Sequence, residues 1–83
     1  MNEKLTLNDG TEIAGHLLEV NERLFLYLQE ISLEDAFNLL IDPENTMIIY
    51  AERYGQKTTV TGYVALYAIS RENGQICATL RKK

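Results

Sequence analysis

The stretch Arg23-Leu24-Phe25-Leu26-Tyr27-Leu28-Gln29-Glu30 decides the fold. Leu24, Leu26 and Leu28 alternate with Phe25 and Tyr27, the two-residue period of a β-strand, whose successive side chains point to opposite faces. Both faces of this strand are therefore apolar. Upstream, Asn21-Glu22 reads as a two-residue hairpin loop, with residues 11–20 as the preceding strand. That loop sets the register: Leu18 opposite Phe25 and His16 opposite Tyr27 on one face, with Leu17 and Leu26 on the other. Further back, Asn8-Asp9-Gly10 closes a hairpin with a first strand at residues 4–7, because Asn, Asp and Gly accept positive φ.

Downstream, Ser32-Leu33-Glu34-Asp35 has the form of a capping box, with Ile31 and Ala36 placed as a hydrophobic staple. A helix is predicted over residues 33–41, where Leu33, Ala36, Phe37, Leu40 and Ile41 make one apolar stripe that docks on the sheet. Asp42-Pro43 ends it, since proline disfavours helical backbone in the residue before it. Residues 46–53 and 57–70 are strand-like, and Gly62 marks a bulge or bend in the second. Asn73-Gly74 is another hairpin signal, returning through residues 75–81. It sets Ile69 against Ala78, Tyr67 against Leu80 and Arg71 against Ile76. The order β-β-β-α-β-β-β predicts a single α+β domain over residues 1–83. Its antiparallel sheet is open or partly closed into a barrel, with one short helix.

Composition bounds the function. The chain has 83 residues, 8 basic and 12 acidic, with a formal net charge of −4; 46% of residues are apolar and 24% charged. This is globular composition with enough chain for one core. The single Cys77 excludes an internal disulfide and a cysteine-based structural metal site. The start Met1-Asn2-Glu3-Lys4-Leu5 carries an acid where a signal peptide is basic, and no apolar run approaches the ~20 residues of a membrane span. A cytoplasmic protein with no membrane partner is expected. Basic residues cluster only at Arg81-Lys82-Lys83, which disfavours a nucleic-acid partner tracked by its phosphates.

Catalytic chemistry finds few residues. His16 could be a general base and Cys77 a nucleophile. The hairpin surrounds His16 with Tyr27 and aliphatics, and nothing cationic stands beside Cys77. Asp9, Asp35 and Asp42 serve a turn, a cap and a pre-proline stop. The glycines open no helix, so no phosphate cradle is present, and no zinc or EF-hand spacing occurs. The expectation is a protein that is not an enzyme and holds no cofactor or metal. What remains is surface. One short helix shelters one face of the sheet, so Leu18, Phe25 and Tyr27 point away from it as a contiguous apolar patch. Either the sheet curls enough to bury them, or they are the anchors of a protein interface, with His16 and Tyr63 nearby, for a foreign partner or for a homo-oligomer.

Three segments together carry a resemblance: Leu5-Thr6-Leu7-Asn8-Asp9-Gly10-Thr11-Glu12, then Ser32-Leu33-Glu34-Asp35-Ala36-Phe37 running to Asp42-Pro43-Glu44-Asn45-Thr46, then Val60-Thr61-Gly62-Tyr63 followed by Leu66-Tyr67-Ala68-Ile69-Ser70. Over nearly the whole chain the sequence resembles small proteins encoded in phages and prophages of Gram-positive bacteria, near structural (tail) genes. The resemblance implies a virion or assembly setting and a protein–protein role, with no catalytic residues to carry over. A phage-encoded inhibitor of a host defence enzyme and a small-ligand-binding module are the alternatives.

Overall fold

The computed structural model describes residues 3–83; Met1 and Asn2, on which part of the reading of the amino terminus rests, lie outside them. The chain runs β1 (Glu3–Thr6), β2 (Glu12–Val20), β3 (Arg23–Gln29), α1 (Leu33–Leu40), α2 (Pro43–Thr46), β4 (Ile48–Arg53), β5 (Gln56–Thr61), β6 (Tyr63–Glu72) and β7 (Gln75–Lys82). All seven strands lie in one antiparallel sheet, in the order β5-β4-β1-β2-β3-β7-β6. The α+β reading is met, with two refinements to the element count. Gly62 divides the expected strand at residues 57–70 into β5 and β6, and a second short helix follows the first.

Three tight hairpins fix the registers. Asn21 and Glu22, Tyr54 and Gly55, and Asn73 and Gly74 all have positive φ, as two-residue loops matched to the right-handed twist of strands require. The first sets His16 opposite Tyr27, Leu17 opposite Leu26 and Leu18 opposite Phe25, as the sequence predicts. The last sets Ile69 opposite Ala78 and Arg71 opposite Ile76. Tyr67 departs from expectation. Register shifts between Tyr63 and Ala65 and between Leu66 and Ala68 put Leu66, not Tyr67, opposite Leu80. An extra residue in one strand leaves that residue unpaired and re-aims its side chain. Tyr67 is turned outward and is 53% exposed.

The two edge strands, β5 and β6, are consecutive in the chain and separated by Gly62 alone. Seven flat strands would hold their edges about 29 Å apart, whereas one residue spans ~3.5 Å. The sheet must therefore roll until its edges meet at Gly62. That corner needs φ +88°, and its N–H donates to the Met47 carbonyl at 3.1 Å. β5 and β6 do not pair with each other, so the ladder itself stays open.

The inside of the roll is the core. Leu24, Leu26 and Leu28 project into it from β3, and Ile76, Ala78 and Leu80 from the adjoining β7. Full burial of one leucine side chain contributes about 1.5–3 kcal/mol. At Gly15 the strands approach so closely that a Cβ would lie 2.2 Å from the Tyr27 carbonyl oxygen.

The helices pack against β6 and β4. The Ser32 hydroxyl accepts from the Asp35 N–H (3.1 Å), capping α1 as its sequence predicts. Only Ala36 and Leu40 of the expected stripe are buried; Leu33, Phe37 and Ile41 are exposed. Eight residues make little more than two turns, too narrow a contact for five apolar positions. Asp42 both ends α1 and caps α2, its carboxylate accepting from the Glu44 N–H (3.0 Å) with Pro43 in the first turn. Thr46 is accordingly a buried helical residue rather than the start of a strand.

Candidate functional site

Because side chains alternate along a strand, every leucine that β3 sends inward leaves a neighbour outside. Phe25 and Tyr27 are those neighbours, and the tight turn at Asn21-Glu22 brings Leu18 and His16 beside them. The His16 and Tyr27 rings stack, their centroids 4.7 Å apart and their planes 19° from parallel. His16, Phe25 and Tyr27 are half-buried, while Leu18 is 51% exposed. The structure thus assembles four of the five residues expected at the interface into one outer patch.

Next to the aromatic side chains the outer face becomes small. Phe25 stands opposite Thr79 and Tyr27 opposite Cys77 on β7, and beyond them lie Ala68 and Ser70 on β6. The step from large to small leaves an open recess of about 270 Å³ between Phe25, Tyr27, Ala68, Ser70, Cys77 and Thr79. Ligand pockets run from about 300 to 1,000 Å³ and enclose most of their ligand, so this recess fits a protruding side chain better than a free small molecule. A shallower hollow of about 360 Å³ lies over β1 and β2, rimmed by the exposed Lys4–Glu12 ion pair (3.5 Å).

Tyr63 does not belong to this patch. It is 1% exposed, with its ring in the core and its hydroxyl donating to the Glu19 carboxylate. Gly62 is the reason: the turn there sends the next side chain into the roll. The hydrogen bond to Glu19, then burial, then the charges of Glu19 and Glu22 push the Tyr63 hydroxyl up to about 12.

Among the described residues His16 makes no side-chain hydrogen bond or ion pair, so nothing orients it for proton transfer. The Cys77 thiol is pushed above its usual range by burial, then by its hydrogen bond to Glu72 and that carboxylate's charge, which disfavours the nucleophilic thiolate. No group of three or more His, Cys, Asp or Glu side chains among the described residues is placed to hold a metal ion. No helix among them is long and apolar enough to cross a membrane.

One surface feature escaped the sequence reading. Tyr67, exposed by its bulge, lies beneath two guanidinium groups, Arg23 at 5.0 Å and Arg81 at 4.5 Å from the ring centroid. Arg23 and Arg81 meet through the long-range pairing of β3 with β7, and a bulge slips Tyr67 between them; hairpin counting gives neither.

Comparisons with protein-family models, with curated proteins and with solved structures find no match to this chain.

Proposed function

We propose that this chain is a non-catalytic, phage- or prophage-related protein that acts by binding another protein, a tail or assembly component, through the outer face of β2, β3 and β7. The observation that carries the reading is the in-register block of Leu18, Phe25, Tyr27 and His16, large groups gathered outside a roll whose own core is complete without them. Aromatic side chains are favoured in interfaces, because they present rigid apolar area at small entropic cost. The recess beside Phe25 and Tyr27 gives a partner's side chain somewhere to insert, the usual arrangement at the centre of an interface. The phage setting is supported by the sequence resemblance.

The test is matched affinity capture from a lysogenic culture of the source bacterium. Tagged parent chain and a Phe25→Asp/Tyr27→Lys variant are compared after both are shown to fold by circular dichroism. Virion or tail proteins retained by the parent and lost by the variant are the expected result. Equal capture by both would remove the patch from the interaction. Retention of a host nuclease or signalling enzyme instead would replace the assembly role with an inhibitory one.

A further inference from the structure

We propose that copies of this chain join head to tail, the Arg23–Arg81–Tyr67 surface of one copy seating on the acidic, apolar flank of α1 in the next. This contact uses neither Phe25 nor Tyr27 and stands apart from the role assigned to them above.

The α1 flank is apolar, and the segment that carries it is acidic. Leu33, Phe37 and Ile41 recur at four-residue spacing, so they share one side of the helix, and Phe37 is 42% and Ile41 50% exposed. Met47, just past α2, is exposed as well. The segment from Glu30 to Thr46 contains Glu30, Glu34, Asp35, Asp42 and Glu44 and no lysine or arginine. None of these carboxylates belongs to an ion pair among the described residues.

The sheet carries the opposite arrangement. Arg23 and Arg81 are direct cross-strand partners on β3 and β7, and both guanidinium groups lie over the exposed Tyr67 ring. Lys82, the next residue on β7, turns to the other face and lies over the Tyr63 ring (5.4 Å), and Glu22 in the adjoining turn is the nearest acid in sequence. Like charges directly opposite in a sheet are destabilising. The ring beneath them offsets part of that repulsion, and no carboxylate among the described residues pairs with either arginine. An acidic group from outside would complete the arrangement, since arginine binds a carboxylate in bidentate fashion. The same molecule supplies one: charge and apolar content complement each other between its two surfaces. Because the surfaces differ, the contact is heterologous, and each copy keeps one free surface for the next.

Light scattering at low ionic strength tests this. The parent should exceed 9.5 kDa, grow with concentration, and shrink towards monomer in ~1 M salt, where screening reaches only ~3 Å. Phe37→Asp/Ile41→Asp and Arg23→Glu/Arg81→Glu chains should each be monomeric alone, with the parent's circular dichroism. Their equimolar mixture should form a heterodimer and nothing larger, since one good surface of each kind remains. Should either pair fail to fold, Phe37→Ser and Arg81→Gln give the same reading. A parent that stays monomeric, variants that still associate, or a mixture that does not pair would each overturn the proposal.

Discussion

The hydroxyl of Tyr63 donates to the carboxylate of Glu19, tying the start of β6 to the far end of β2. The bond holds the Tyr63 proton in place, raising its pKa from 10.0 to about 12. The folded state therefore binds this proton more tightly than the unfolded state. The stability it contributes is complete below about pH 10 and is lost as pH rises from there to about 12. Difference ultraviolet titration of the parent against Tyr63→Phe should show one tyrosinate forming near the upper value. Tyr63→Phe should cost about 1 kcal/mol at neutral pH, because the exposed Glu19 can take water in exchange, and its stability should decline less over that pH range.

Gly15→Ala should destabilise the fold by about 2–3 kcal/mol, read from the chemical-denaturation midpoint. The new methyl group would meet the Tyr27 carbonyl oxygen and the Leu28 Cα, which are backbone atoms held by the β2–β3 ladder. Gly10→Ala, with open space around it, tests whether crowding rather than residue type sets the cost. Its positive φ of 94° should make its penalty one of backbone strain alone.

Adjacent residues on β3 should behave oppositely. Leu26→Ala empties a site that is 1% exposed and should cost about 2–5 kcal/mol. Phe25→Ala, one position away on the outer face, should cost well under half of that. A reversed ranking in urea melts would mean that the sheet rolls the other way.

Cys77 should react slowly with a maleimide at neutral pH compared with the same thiol in urea, because burial and Glu72 both hold it protonated. Glu72→Gln should speed the reaction in the folded protein while leaving the rate in urea unchanged.

Hairpins written in two-residue loops were legible from the chain alone. Asn21-Glu22 and Asn73-Gly74 each fix a register, and every pair counted from the first agrees with the structure. The capping box at Ser32 is equally local and equally readable. What escaped depends on longer range. Hairpin counting sets Tyr67 against Leu80 because it assumes no extra residues, whereas β6 has two register shifts. Tyr63 is expected near the interface because tyrosine is enriched in interfaces; only the direction the chain takes after Gly62 shows it turned inward. Of the candidate patch, Leu18, Phe25, Tyr27 and His16 came from alternation and register, which is short-range information. The exposed side of α1 could not be seen, because a stripe in sequence does not say how much of itself a small roll can cover.

The strand order has a consequence for synthesis. β3 pairs on one side with β2, which precedes it, and on the other with β7, which emerges only after two helices and three more strands. Until then the leucine row at positions 24, 26 and 28 has an unzipped flank, the kind of edge on which nascent chains stick to one another. Ribosomes pausing between codons 30 and 75 should therefore release a species prone to misassembly, whereas a circularly permuted gene that places the β7 segment ahead of β1 would shorten that exposure.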